Sequence, residues 1–396
     1  MKVQKNKTSN INILKINKDD GLIHEDTPKS DYDLLKDIVY GKIITELLDC
    51  PTTTDIMLWN NEVTIVDSNK GEYKLELSKY DKEDIDYLTN SLYSWPNQLA
   101  TRMHTSFSEG KAILDAELTY KDVGILRFNA IHESLINNDY PAICIRATRF
   151  SLSLKKDTFT LTDYANEWIL TLLESVIRSN LNVIIGGNTG SGKTSLLRYL
   201  ATNYISSEKS IITIEDTYEA FLKMLKPSLN VLALKSNRLY NFSDLIKTSL
   251  RQNPDWILVS ESRGEEVLQM LEAVVTGHNI ITTIHATSSL AIPSRIVDMS
   301  NATGYIVEKI TKQVHQNIDI GVYIDYYNDK KGSHRKITEI CEYYLDDNDK
   351  PQSHMLYSYD WNNNKYVANK IKSQKILRNL QRTKININKM KGIFLW

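Results

Sequence analysis

The spacing of apolar and polar positions changes character several times along the chain. Over residues 1–30 it has no sustained period, and Lys, Asn, Asp and Ser dominate, which predicts a weakly ordered extension. From 31 to 150 alternating and helical periods are mixed. TDIMLWNNEVTIVD predicts a hairpin around Asn60 and Asn61, DKEDIDYLTNSLYSWPNQL an amphipathic helix, and GILRFNAIHE and AICIRATRF two further strands. These predict a small amino-terminal α+β domain. The polar run SLSLKKDTFTLTD then predicts a linker over 151–162, with Thr162 and Asp163 capping the next helix.

Between 163 and about 325 the pattern becomes short, almost wholly apolar runs, namely NVIIG, SIITIE, NVLAL, DWILVSE, NIITTIH and DIGVYI, separated by helical stretches such as KTSLLRYLATNYI. Strands covered on both faces read this way, and their alternation with helices predicts an α/β domain with a predominantly parallel sheet. Further on, DIGVYIDYY, a polar turn around Lys331 to Ser333, and HRKITEICEYYL predict a hairpin. The segment 326–396 is therefore expected to be a hairpin followed by a basic helical tail. From Trp361 to Trp396 there are nine Lys or Arg residues and no acid. That run reads either as a solvated helix whose Ile371, Leu377 and Leu380 pack on the body, or as a peripheral contact with anionic lipid or an acidic partner.

Composition narrows the class. The 396 residues carry 48 Lys plus Arg against 49 Asp plus Glu, a net charge of -1, so no direct, sequence-specific binding of nucleic acid is expected. A hydrophobic share of 41% with 24% charged residues excludes a disordered or fibrous chain. Cys50, Cys144 and Cys341 are far apart and form no CxxC pair, which fits a reducing compartment. No apolar run reaches the roughly 18 residues that span a bilayer, and the amino terminus lacks the apolar core of a secretory signal. The expectation is a cytoplasmic protein whose membrane contact is peripheral.

The strongest chemical signal is Gly187-Asn188-Thr189-Gly190-Ser191-Gly192-Lys193-Thr194, followed by Ser195. It satisfies GxxxxGK[ST] between an apolar run and a helical one. Glycines let successive N–H groups turn inward around phosphates, a helix amino terminus adds positive potential, and Lys193 supplies charge to the β and γ oxygens. Thr194 would hold Mg²⁺ through its hydroxyl. The cofactors expected are thus ATP and Mg²⁺. Two acids, Glu215 and Glu261, close the second and fourth strand-like runs, at the carboxyl ends where open α/β sheets place ligands. One carboxylate for the metal and one for the attacking water are what triphosphate hydrolysis needs. Each taken alone also reads as a helix cap. His285 ends the fifth run and is placed to report on the γ-phosphate; with only His278 nearby, a structural metal role is not expected.

Taken together, GNTGSGKTS, TIEDTYE, LRQNPDWILVSESRGEEV and TGHNIITTIHATSS resemble the secretion ATPases of type II and type IV secretion systems and of type IV and Tad pili. LLDCPTTTDIMLWNN, AELTYKDVGILRFNAI and AICIRATR are similar to the amino-terminal domain of the CpaF-like and conjugation-type branch. The resemblance implies a RecA-like ATPase domain that assembles as a homo-hexamer. Such a ring binds nucleotide between its two domains and works on the inner face of the cell membrane with platform or channel proteins. It further implies that Glu215 polarises the attacking water and that Glu261 orders Mg²⁺, although which of the two is the general base stays open. Arg127, Arg146 and Arg251 would offer their guanidinium groups to the nucleotide. The chain departs from the family at Ser260, where glycine usually precedes the glutamate. Two other classes stay open at this point: a nucleic-acid-dependent motor with the same core, and a nucleotide-regulated scaffold that does not hydrolyse.

Overall fold

The computed structural model describes residues 40–383 apart from 60–61, 122–123, 152–153, 155–163, 265, 301–305 and 330–331. The expected extension over 1–30, nearly all of the expected linker over 151–162, the proposed caps Thr162 and Asp163, and the last 13 residues of the tail lie outside the described residues.

The amino-terminal part contains helix α1 (Gly41–Asp49), strands β1 (Thr53–Trp59), β2 (Glu62–Asp67) and β3 (Gly71–Lys74), helix α2 (Lys82–Arg102), and strands β4 (Ile113–Tyr120), β5 (Gly124–Ile131) and β6 (Ala142–Arg149). The six strands form one antiparallel sheet in the order β3-β2-β1-β6-β5-β4. Successive side chains on a strand face opposite ways, so register sorts them into layers. Ile56, Ile145, Phe128 and Ala116 lie opposite one another across four strands, and are buried in a core shared with Leu47 and Leu48 of α1 and Trp95 and Leu99 of α2. The next positions, Asp55, Arg146, Arg127 and Glu117, make a charged row on the other face. This row is what the domain turns toward its neighbour.

The second part comprises α3 (Glu167–Arg178), β7 (Val183–Gly187), α4 (Lys193–Tyr204), β8 (Ser210–Glu215), α5 (Leu222–Leu225), β9 (Asn230–Lys235), α6 (Phe242–Ser249), β10 (Trp256–Ser262), α7 (Glu266–Val275), β11 (Asn279–Ile284), α8 (Ile292–Ser300), α9 (Val307–Asn317), β12 (Ile320–Asp329), β13 (Gly332–Leu345), β14 (Pro351–Asp360), β15 (Lys365–Ala368) and α10 (Gln374–Arg382). Asn166, whose side chain accepts from the Ile169 N–H at 3.0 Å, caps α3. All six apolar runs are strands. They lie side by side in the order β9-β8-β10-β11-β7-β12 and pair in parallel.

The predominantly parallel sheet expected from the sequence is present in part, with antiparallel strands added. β13, β14 and β15 join the same sheet in antiparallel fashion on the far side of β12, so the nine-stranded sheet is mixed. A hairpin leaving β12 leaves that strand's free edge unpaired unless the hairpin itself covers it, and here the return strand does so. Alternate residues feed two cores. Val183, Ile185 and Leu258 pack under α3, α4 and α10, whereas Ile184, Ile257 and Val259 pack under α6, α7, α8 and α9.

The described part of the basic tail packs on the body. Ile376 and Leu380 of α10 are buried, and Lys375 Nζ pairs with the buried Asp319 at 2.7 Å. Just before the helix, the fully buried Glu342 accepts from His354 Nδ1 at 2.8 Å and from the Lys372 and Ser373 N–H groups at 2.7 and 3.0 Å. A buried carboxylate with three donors is costly to remove, because its partners are left without acceptors. Glu342→Ala should therefore lower the unfolding free energy by about 3 kcal/mol, read from urea denaturation of the full chain. An unchanged midpoint would show that α10 is anchored by its apolar face alone.

Candidate functional site

The loop between β7 and α4 is built on backbone that only glycine adopts easily. Gly187 has φ of +153°, and a Cβ there would lie 2.5 Å from Ser191 Oγ and 2.7 Å from the Ile324 carbonyl oxygen. Gly192 precedes α4 at φ of +90°. No side chain caps the first turn of α4, so the positive end of its dipole faces the loop. Asn188, Thr189 and Gly190 are exposed at the crest, while Ser191 is fully buried and its Oγ makes no hydrogen bond among the described residues. Thr194 and Ser195 sit half-buried on the first helical turn. Lys193 is buried, and its Nζ donates to the Gly187 and Asn188 carbonyls at 3.0 Å each. Burial holds the ammonium below its ordinary pKa, with the charge of Glu261 working against that shift.

Glu261 stands at the carboxyl end of β10. One strand, β11, separates β10 from β7, and His285 follows directly after it. The Glu261 carboxylate is held on both sides, by His285 Nε2 to Oε1 at 2.7 Å and by Arg263 to Oε2 at 2.6 Å. Burial pushes the Glu261 carboxyl up, but the Arg263 hydrogen bond and charge, with His285 and Lys193, outweigh it and hold it below the usual range. His285 is likewise held down, first by burial and then by the Lys193 charge, although Glu261 opposes this. Lys193, Glu261, Arg263 and His285 thus form one electrostatic unit. Ser260 keeps its carbonyl on the Thr283 hydroxyl at 2.6 Å, and its own hydroxyl is buried without a partner among the described residues.

Glu215 lies elsewhere. It is buried at the end of β8, where Oε1 accepts from Thr213 Oγ1 at 2.8 Å and Oε2 from the Glu219 and Ala220 N–H groups at 2.7 and 2.8 Å. Burial raises its pKa. All three bonds stay inside its own turn, so in this structure Glu215 caps that turn and does not touch Lys193, Glu261 or His285.

The three arginines part company. Arg127 crosses from the amino-terminal sheet and pairs with Glu219 at 2.6 Å and Asp216 at 3.8 Å. Beside it, Glu117 accepts from Thr217 Oγ1 at 2.9 Å and from Lys235 at 2.7 Å. Arg146 pairs with Asp55 at 2.6 Å within its own domain and is half-exposed. Arg251 is exposed at the amino-terminal edge of β10, the end away from Glu261, and the structure does not bring it to the Lys193 group. Two residues that the sequence reading passed over are Arg263 and Arg335. Arg263 lies just past the end of β10, two positions after Glu261. Arg335, whose Nε donates to the Gly190 carbonyl at 2.8 Å, comes from 145 positions away and carries no local signal.

The sheet thus carries a glycine loop on its central strand and an acid one strand removed. Residues 140–319, which include the loop, Glu215, Glu261 and His285, match the family described as type II/IV secretion system protein. With its relatives, this match shows a resemblance to the type II/IV secretion ATPases. An uncharacterized protein of Bacillus anthracis is 29% identical over 295 residues, 74% of this chain and 63% of that protein. The conjugal transfer protein TrbB of Rhizobium radiobacter is 25% identical over 246 residues, 61% of this chain and 71% of that protein. The chain therefore spans just under two thirds of the first of these relatives. The X-ray structure of the ATPase DotB of Legionella pneumophila is similar with a TM-score of 0.56 over 88% of each chain at 18% identity, a likeness of fold. Among the described residues no helix is long and apolar enough to cross a membrane.

The coupling of Lys193, Glu261 and His285 can be read by titration. His285 should titrate below 6.5, move up in Lys193→Ala, where an opposing charge is gone, and move further down in Glu261→Gln. Because the folded value is the lower one, the unfolded chain takes the proton first, so stability falls as pH drops through 6.5. The lowered Glu261 carboxyl adds to that loss as pH falls below 4.5. NMR of the labelled histidine is the check, and a His285 signal indifferent to Lys193→Ala would contradict the coupling.

Proposed function

We infer that the protein is a Mg²⁺-dependent ATPase of the secretion class, working as a homo-hexameric ring on the cytoplasmic face of the membrane. There, with platform or channel proteins, it would drive pilus assembly or the export of protein or DNA. The observation that carries this reading is the buried Lys193 ammonium, resting on two loop carbonyls beside the Glu261–His285–Arg263 group. A buried cation satisfied only by carbonyls is poised to trade them for a phosphate oxygen, which bears real negative charge. The buried Ser191 hydroxyl and the uncapped start of α4 offer further donors to the same anion.

Bound ATP with Mg²⁺ would supply the scissile phosphate and the charge that polarises it; Thr194 and Glu261 are the residues that would hold the ion. Lys193 then spreads the developing charge on the transferred group. Glu261, kept ionised by Arg263 and held in place from the other side by His285, serves the ion. Arg127 belongs to the amino-terminal domain and lies against the acidic turn 215–219, so closing the two domains brings a guanidinium toward the nucleotide. Arg146 is half-exposed beside Asp55, and this reading gives it to a neighbouring site in the ring. The relatives' names and the matched family support the secretion setting, and the balanced charge supports a protein partner over a nucleic-acid track.

The test is Mg²⁺-dependent ATP hydrolysis per protomer over a range of protein concentrations. Specific activity should rise with concentration and fall at least about 100-fold in Lys193→Ala, with a comparable loss in Arg146→Ala. Activity that is flat with concentration and indifferent to Arg146 would remove the ring site. Strong stimulation by single-stranded DNA that disappears with salt would replace this reading with the nucleic-acid motor.

A further inference from the structure

β12 outruns the strand beside it. Gly187, the last residue of β7, lies opposite Ile324, yet β12 continues to Asp329 and turns back into β13, so the hairpin overhangs the 187–194 loop. Arg335 is on the return strand, directly opposite Tyr326, and its guanidinium stands 4.9 Å above that ring. From there it grips two main-chain carbonyls in different domains. Nε donates to Gly190 at 2.8 Å, at the crest of the loop, and NH1 donates to Ser68 at 3.1 Å, in the turn between β2 and β3. The Ser333 N–H donates to the Asn69 carbonyl at 3.1 Å, seating the same hairpin on the same turn.

The geometry points to this hairpin as a strut between the loop and the amino-terminal domain, with Arg335 as the positioning residue that couples occupancy of the loop to the orientation of that domain. The inference rests on the proposed nucleotide site. The Gly190 carbonyl belongs to the same peptide unit as the Ser191 N–H, so a phosphate that reorients this unit from inside moves the oxygen that Arg335 holds from outside. A guanidinium fork can serve two acceptors at fixed spacing, whereas an ammonium on a flexible stem cannot hold both. Moving the Gly190 peptide must then either break one charge-assisted bond or carry the Ser68 turn with it. By linkage, the domain position in turn sets the affinity of the loop for its anion.

The experiment uses the full chain with fluorophores at Gln98 of α2 and Glu308 of α9, both exposed, and reads MgADP binding by calorimetry and domain separation by energy transfer. The parent should bind MgADP and change its energy transfer on doing so. Arg335→Ala should still bind MgADP and lose the change in transfer. Arg335→Lys, which keeps charge and bulk, should fold as the parent does and still lose the change, so it carries the test if the alanine variant is unstable. A full transfer change in both variants overturns the coupling whatever happens to affinity, and so does a parent that binds MgADP with no change at all. A parent that fails to bind MgADP overturns the nucleotide site itself, and the strut's role with it.

Discussion

A lysine ammonium taken out of water has to be answered by its surroundings, and Lys193 is the charge around which the carboxy-terminal domain is arranged. Burial lowers its pKa. Two carbonyls from the 187–194 loop, the field of Glu261 one strand away, and the open end of α4 set the terms on which it stays. Glu261 in turn keeps its ionised form because Arg263 and His285 occupy both of its oxygens. Each member restrains the next, beside a loop whose positive-φ backbone glycine adopts without strain.

The amino-terminal domain meets this group with a sheet that is apolar on one face and charged on the other. Its apolar face is closed by α1 and α2, which leaves the row Asp55, Arg146, Arg127 and Glu117 to face outward. Arg127 and Glu117 meet the acidic turn after β8, and Arg198 of α4 donates to the Phe150 and Ser151 carbonyls where the domain's last strand ends. Burial brings the Arg198 pKa down to about 10, and this arginine also faces the Phe221 ring. Ionic contacts of this kind suit a movable domain boundary, because ion pairs between partly exposed groups cost little to exchange.

Much of this was legible because the signals were local. Five of the six apolar runs read as parallel strands since burial on both faces removes alternation, the edge run β9 being largely exposed, and the glycine loop is spelled within eight residues. The hairpin in DIGVYIDYY to HRKITEICEYYL was legible too, but not that it would extend the same sheet, because pairing to β7 is a choice made in three dimensions. Asn166 caps α3, while the expected caps Thr162 and Asp163 lie outside the described residues. Glu215 showed the limit of strand-end reasoning: its position matched the expectation, whereas its rotamer serves its own turn. Arg335 reaches Gly190 across 145 positions, and no spacing rule sees such a contact.

The central claim is that a nucleotide's phosphates lie in the 187–194 loop against Lys193. Amide hydrogen exchange of the full chain with and without MgATP tests it most directly. Protection concentrated in 188–196, with a second, smaller effect around 261–263 and 285, is the predicted outcome. Protection confined to other elements, or unchanged in Lys193→Ala, would contradict it.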